Sequence, residues 1–387
     1  LVGDRGGERT VTQERKLSDL GVHKAAGRVT IDRIRNVRKA IAHSIERARC
    51  SHHGNLAIRL YAWRENERLD ADFFASALAA AIDRRTRVVQ PTEPATDSFR
   101  LCFSESDGLS GLIVDQYAGV ASVQWNTSLL LPYRDTLESV LRAHGLTSVH
   151  QYDEESFARE GATAPTAAPA DSPPVRIRES GFTYEVDVTG GQKTGFYLDQ
   201  RVNRRRVAAY ARGRRCLSAY CYTGGFETHL AHAGATAIAG LDRSAPALER
   251  AAANQALNPG GTPAQYEVAD VPVQLRMYRD RATTFDLIIL DPPKFVHHQS
   301  QMEKGLRAYK DINRLAMKLL TPGGVLATFS CSGWVKHQDF LTALEWAARD
   351  AGRTVRQLEQ LGQPPDHPIL LGFPESDYLC GYVLLVE

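Results

Sequence analysis

The sequence predicts an α/β protein in which a doubly wound, mostly parallel sheet fills the C-terminal half and a small α+β domain precedes it. Three observations carry this prediction. Residues 287–290 form a short apolar run, the pattern of a strand buried on both faces, and the run ends at Asp291-Pro292-Pro293-Lys294. A strand, a glycine-rich turn and a helix start succeed one another through residues 216–233. Three successive strand ends, at Asp242, Asp270 and Asp291, then each deliver a carboxylate. Open α/β sheets bind their ligands beyond those ends.

Composition narrows the class. The 387 residues exceed one domain's worth and give ample material for a core. Hydrophobic residues at 43% and charged residues at 24% are ordinary for a soluble globular chain. No run of about 18 apolar residues occurs, so no membrane association is expected. No short apolar segment follows a basic start, so no signal peptide is expected. The six cysteines (Cys50, Cys102, Cys216, Cys221, Cys331, Cys380) include no C-x-x-C pair and no His/Cys spacing that suits zinc. No metal is expected, and scattered thiols without an export signal point to a reducing cytoplasm. Because the formal net charge is only +2, any nucleic-acid binding must come from local patches.

In chain order, residues 1–53 carry 12 Lys/Arg against 6 Asp/Glu and few periodic apolar residues. They read as a poorly ordered terminus or a basic arm, with an amphipathic helix at 31–45. The chain opens on Leu1 rather than Met, so its true start is expected to lie elsewhere. From residue 55 the pattern sharpens. Strands are expected at 56–63, 100–103, 111–115, 120–125 and 148–152, with helices at 70–85 and 131–144. No residue of this α+β region has an evident chemical role. The Ala/Pro-rich stretch 161–174 is too poor in large apolar groups to pack and reads as an insertion or linker.

Chemistry gathers after it. A strand at 182–188 leads into Gly190-Gly-Gln-Lys-Thr-Gly-Phe196-Tyr197. There glycines permit close backbone approach, and Phe196 and Tyr197 offer flat faces for an adenine or a base. Arg201, Arg204, Arg205, Arg206, Arg212, Arg214 and Arg215 follow, either a solvated helix face or a phosphate-contacting patch. Tyr222-Thr223-Gly224-Gly225-Phe226 then opens a helix, the usual cradle for a nucleotide-like ligand, though not in the G-x-G-x-x-G form. Asp242, 18 residues past Gly224, is placed for ribose hydroxyls. Beyond Asp291 come a helix at 309–320, a Pro-Gly-Gly turn at 322–324 and a strand at 325–329 that runs into Ser330-Cys331-Ser332-Gly333. A cysteine at that strand end would face the same crevice, where Lys294 and nearby arginines could make it a thiolate. The alternative for any free cysteine is a small buried hydrophobe, the better reading for Cys216 and Cys380. Cys221 is expected to pack against the ligand without reacting.

The strings 193–201, 222–226, Asp291-Pro292-Pro293-Lys294-Phe295, 309–313 and Phe329-Ser330-Cys331-Ser332-Gly333, with Asp366-His367-Pro368, resemble the bacterial large-subunit ribosomal RNA cytosine-C5 methyltransferase family. The resemblance runs from about residue 55 to the end. It implies a class I, Rossmann-like S-adenosylmethionine (SAM) methyltransferase domain at 181–387, a small α+β domain at 69–180 and a PUA domain before them. Residues 1–68 would then be a divergent PUA-like region or a wrongly assigned N-terminus.

The resemblance further implies SAM across Gly224–Phe226, with Tyr222, Thr223, Phe196 and Tyr197 around it, Asp242 on its ribose and Asp270 near its adenine. Cys331 would add to carbon 6 of cytosine and Asp291 would hold the base's polar edge. Related enzymes with two cysteines carry the second in the Asp-Pro-Pro region, where this chain has Lys294. The implied partner is large-subunit ribosomal RNA, contacted by Arg201, Arg204, Arg205 and Lys294; a homodimer is left open. Two alternatives stand beside this reading: a purine N-methyltransferase using the Asp-Pro-Pro-Lys loop, and a non-catalytic RNA-binding assembly factor.

Overall fold

The computed structural model describes residues 59, 61–62, 67–167, 173–189 and 195–387. The PUA-like expectation, nearly all of the strand expected at 56–63 and the stretch 190–194 therefore lie outside the described residues. The chain divides into two units. The first takes the described residues up to Thr92 with those of Phe99–Pro173 and Val188–Gly195. The second takes Glu93–Ser98, Pro174–Asp187 and Phe196–Glu387.

In the first unit, helix α1 (Ala71–Arg84) is capped by Asp70, whose carboxylate accepts the Phe73 N–H at 3.1 Å. Phe74, Leu78, Ala81 and Ile82 recur at helical spacing and are buried. Strands β1 (Ser98–Phe103), β2 (Leu112–Tyr117), β3 (Val120–Trp125) and β4 (Thr147–Tyr152) lie side by side in that order. The β2–β3 pair is antiparallel and the β3–β4 pair parallel, with helix α2 (Arg134–Ala143) on the crossover. Helix α3 (Glu154–Arg159) follows. Trp125, Leu112, Leu78 and Phe157 share the core. Its charged residues are paired: Arg85 forks Asp107 at 2.6 and 2.7 Å, and Arg100 forks Asp115 at 2.8 Å.

The second unit opens on a hairpin, β5 (Val175–Glu179) and β6 (Phe182–Val186). Ser180 and Gly181, both with positive φ, make its two-residue turn. The expected division at 180/181 falls in that turn, and both strands belong to the second unit. Helix α4 (Arg201–Ala208) leads to β7 (Arg215–Ala219), α5 (Gly225–His232), β8 (Ala237–Asp242), α6 (Ala245–Ala256), β9 (Ala264–Val268) and α7 (Val271–Asp280). The chain continues through β10 (Phe285–Leu290), α8 (Met302–Leu319), β11 (Leu320–Ser330), α9 (His337–Ala351), β12 (Val355–Leu361) and β13 (Cys380–Val386).

The seven strands are ordered β12-β13-β11-β10-β7-β8-β9. The five from β11 to β9 are parallel, and β13 and β12 add an antiparallel edge. Successive residues of β10 alternate between two cores. Leu287 and Ile289 join Val207, Leu230 and Val325 on one face; Ile288 and Leu290 join Leu275, Leu315 and Phe340 on the other. Helices on both faces explain why the whole run is apolar. One expectation is corrected: β11 begins at Leu320, five residues before the expected strand. Leu320 pairs with Phe285 and Val325 with Leu287, so Pro322-Gly323-Gly324 bulges out within the strand instead of preceding it.

Candidate active site

The sheet of the second unit changes direction beside β7. The chain runs outward through β8 and β9, then returns to lay β10 on the other flank of β7. Such a switch point opens a crevice beyond the strands' carboxyl ends. Residues 220–224 follow β7 and Asp291-Pro292-Pro293 follows β10, so the two strongest motifs meet there. The Asp291 N–H donates to the Ala219 carbonyl at 3.3 Å and keeps the two strand ends level. A shallow cavity of about 320 Å³ between Arg215, Ala237 and Phe285 lies at the opposite ends of these strands, away from the carboxylates.

The turn after β7 is tightly specified. Tyr220 (φ 66°), Tyr222 (φ 49°) and Gly224 (φ 83°) are all left-handed, a conformation that costs a tyrosine roughly 1–2 kcal/mol. Asp242 helps to offset this: its two oxygens accept the Tyr222 and Ser244 N–H groups, each at 3.0 Å. Asn254 adds an amide hydrogen bond to the Thr223 carbonyl at 3.0 Å. A Cβ at Gly224 would meet the Ala251 Cβ and the Tyr266 hydroxyl at 3.0 Å, so glycine is required by space as well as by φ. The Thr223 hydroxyl is buried and has no hydrogen-bond partner among the described residues. Helix α5 starts directly after Gly224, and the first N–H groups of a helix have no partner inside it. An unsatisfied hydroxyl, the start of a helix and a partly exposed carboxylate together could hold a polar ligand.

Asp270 is placed differently from its expected position. β9 ends at Val268, and Asp270 caps α7 by accepting the Val273 N–H at 3.2 Å, which leaves its second oxygen for a ligand.

Cys331 directly follows β11, the neighbour of β10, and its thiol points to the Pro292 carbonyl at 3.8 Å. Of the cysteines among the described residues, Cys102, Cys216, Cys221 and Cys380 are buried and Cys331 is partly exposed. Burial pushes the Cys216 and Cys380 thiols up to about 12 and also raises those of Cys102 and Cys221, which leaves all four inert. The Cys331 loop is anchored from below. Ser330 donates to the buried Tyr309 hydroxyl at 2.9 Å, Ser332 shares a hydrogen bond with it at 3.0 Å, and the Ser332 hydroxyl accepts the Val296 N–H at 3.4 Å. Ser332 thus ties the cysteine loop to the Asp291 loop, and Tyr309 of α8 anchors both serines from below. Tyr197 completes this face. It meets Tyr222 edge-on at 5.2 Å, and burial, then the Asp291 charge, hold its phenol well above the usual range, so it stays protonated.

The other expected residues divide. Lys294 is exposed on the Asp291 loop. Phe196 is not available to a ligand: it is buried against Tyr184 at 5.1 Å and under the Arg204 guanidinium at 4.4 Å. The Phe226 ring is buried against Phe329, so only its backbone can serve the cradle. Cys221 packs close to Gly240 of β8 in the buried underside of the turn.

The expected RNA-facing arginines are mostly committed within the protein. Arg201, fully buried, forks Asp366 at 2.7 and 3.2 Å. Arg204 binds Glu179 at 2.5 Å and the Tyr197 carbonyl at 2.7 Å. Arg205 forks Glu93 at 2.5 and 2.8 Å, although its side chain is 42% exposed. A run of arginines reads as a patch in one dimension, but α4 turns these residues toward separate carboxylates.

Sequence reasoning missed Glu227, Tyr309 as an anchor, and Trp334. Glu227 stands in the first turn of α5 with no exposed surface. Burial pushes its carboxyl up to about 7, against the pull of Ser218 and of backbone N–H groups. An acidic residue in a first turn reads as a surface charge complementing the dipole, and nothing in the sequence marks it as buried.

Residues 148–379 match the family model described as S-adenosylmethionine-dependent methyltransferase. A ribosomal RNA large subunit methyltransferase I from Shewanella frigidimarina is 40% identical over 350 residues, 89% of this chain and 88% of that protein. One from Shewanella amazonensis is 38% identical over 95% of this chain and 93% of that protein. A solved structure from Streptococcus mutans, assigned as a SAM-dependent methyltransferase, shares the fold with a TM-score of 0.73 over 84% of each chain at 22% identity. On that match and these relatives, the chain belongs to the S-adenosylmethionine-dependent methyltransferase family.

Proposed function

We propose that this protein methylates carbon 5 of a cytosine in large-subunit ribosomal RNA, with Cys331 as the nucleophile. The observation that carries the reading is the partly exposed Cys331 thiol beside the Asp291-Pro292-Pro293 loop, in a chain whose other described cysteines are buried. The substrate class rests on the curated relatives, whose names describe ribosomal RNA large subunit methyltransferases. The residues present fit SAM: the α5 N-terminus and the unsatisfied Thr223 hydroxyl offer donors, and Asp242 and Asp270 offer acceptors for the ribose and adenine. Bound SAM supplies an electrophilic methyl group.

Carbon 5 of cytosine is a poor nucleophile because its electrons belong to the conjugated ring. Addition of the Cys331 thiolate to carbon 6 forms a carbon–sulfur bond and moves the double-bond electrons onto carbon 5. Asp291 accepts from the exocyclic amine and fixes the ring over the thiol. Once carbon 5 carries its methyl group, water acting as base takes the carbon-5 proton, the pair from that bond re-forms the carbon 5–carbon 6 double bond, the carbon–sulfur bond breaks and the thiolate leaves. Tyr309 acts through Ser330 and Ser332 as a positioning residue for Cys331. The target base must be single-stranded or extruded to reach the thiol.

The test is transfer of radiolabelled methyl to deproteinised large-subunit rRNA by wild type and Cys331→Ala, followed by nucleoside analysis. The expected label is in 5-methylcytosine, and the substitution lowers it on the order of 10³-fold or more. Label in a purine, or full activity of Cys331→Ala, contradicts the reading.

A further inference from the structure

Trp334 lies three residues beyond Cys331 and is 49% exposed, among the largest apolar side chains left in solvent. It is not loose. Its indole N–H donates to the His297 carbonyl at 3.2 Å, which fixes it between the loop after β11 and the loop after β10. The two loops are thus tied twice, by the buried Ser332 hydroxyl below and by the exposed indole above.

Cations occur on the same loops and at the start of α8, where Glu303 beside Lys304 is already paired with Arg307. Lys294 and Lys304 are exposed and have no carboxylate within salt-bridge distance among the described residues. His297 and His298 are exposed between them, and Lys336 lies two residues past the indole. The Lys336 ammonium donates to the Pro374 carbonyl at 3.4 Å, which brings in the loop that exposes Leu370 (44%) and Leu371 (96%).

Exposed lysines without ion pairs, on and next to the loops that hold a fixed aromatic ring, match a single nucleic-acid strand, which offers phosphates and flat π faces in alternation. A base drawn out to reach Cys331 also leaves its neighbour with one face unstacked, at a cost of a few kcal/mol. We infer that Trp334 is the stacking platform for the nucleotide next to the target base, with Lys294 and Lys304 on the flanking phosphates. This inference rests on the RNA substrate proposed above.

The experiment titrates the full-length protein with a single-stranded fragment of unmethylated large-subunit rRNA, comparing wild type, Trp334→Phe and Trp334→Leu. Indole fluorescence and steady-state methyl transfer are both read. Wild-type fluorescence is quenched by RNA, and the quench is largely missing from Trp334→Phe, which keeps the other three of the chain's four tryptophans. Trp334→Leu raises KM for RNA about tenfold, Trp334→Phe stays within about threefold of wild type, and kcat and SAM affinity hold in both. A merely structural role would not separate Phe from Leu in KM alone.

Equal KM for Leu and wild type, or an undiminished quench in Trp334→Phe, overturns the inference. The two proposals fail separately. Wild type that methylates a purine overturns the cytosine reaction while the quench and KM still report stacking. Wild type that forms 5-methylcytosine with Trp334→Leu unaffected overturns stacking alone. Wild type that binds no RNA overturns both.

Discussion

Glu227 is the side chain in this site whose chemistry departs furthest from its sequence. Its carboxyl, raised by burial from 4.5 to about 7, is neutral in a moderately acidic folded protein, whereas in the unfolded chain it ionises near 4.5. The folded pKa is the higher one, so this group's contribution to stability is fully present below about 4.5 and is lost as the pH climbs to about 7. Glu227→Gln removes that titration. Urea denaturation at pH 5 and pH 8 is expected to show the variant gaining on wild type with rising pH, by up to roughly 3 kcal/mol. A difference that does not change between the two pH values would place the titration elsewhere. That Asp291 and Cys331 directly follow neighbouring strands was legible in the sequence because strand ends and prolines are local signals. Glu227 was not, because burial is set by residues far along the chain.

Short elements set the geometry. The turn between β7 and α5 places two tyrosines and a glycine at positive φ, and Asp242 holds it through the Tyr222 N–H. Gly224→Ala adds a Cβ 3.0 Å from Ala251 and Tyr266 at φ 83°. It is expected to destabilise the protein by about 1–2 kcal/mol and to weaken SAM binding tenfold or more by calorimetry. Unchanged SAM affinity would separate this turn from the cofactor.

Helix α4 shows the opposite lesson. Its arginines read as an RNA patch, yet the Arg201–Asp366 pair has no exposed side-chain surface on either partner. Breaking such a pair strands a buried charge. Arg201→Ala and Asp366→Ala are each expected to cost about 3–5 kcal/mol, with the double variant far from additive. Additive costs would mean that the two side chains do not depend on each other. The boundaries of α1 and β3 followed closely from caps and alternation. β11 did not, because the Pro-Gly-Gly that reads as a turn ahead of the strand is a bulge within it.

The whole second unit is a doubly wound sheet whose direction reverses beside β7, so residues more than a hundred positions apart in sequence reach one crevice. That arrangement could be anticipated from the apolar run and the successive acidic strand ends. Which flat rings would face the crevice could not. Phe196 and Phe226 went into the core and Tyr197 stayed beside Asp291, a choice made by packing partners on other elements. With a net charge of only +2, any attraction for RNA must be local, and among the described residues Lys294 on the Asp291 loop and Lys304 at the start of α8 are exposed without an ion pair, whereas the α4 arginines are committed to carboxylates.

The central claim is that Cys331 bonds to carbon 6 of a cytosine. The most direct measurement uses a ribosomal RNA fragment carrying 5-fluorocytosine, in which the proton that must leave carbon 5 is replaced by fluorine, so the adduct cannot resolve. Incubation with SAM, nuclease and protease digestion, and mass spectrometry are predicted to find one nucleotide joined to the peptide containing Cys331, and none with Cys331→Ala. An adduct on another residue, or turnover of the native RNA with no adduct on the fluorinated one, would contradict the account.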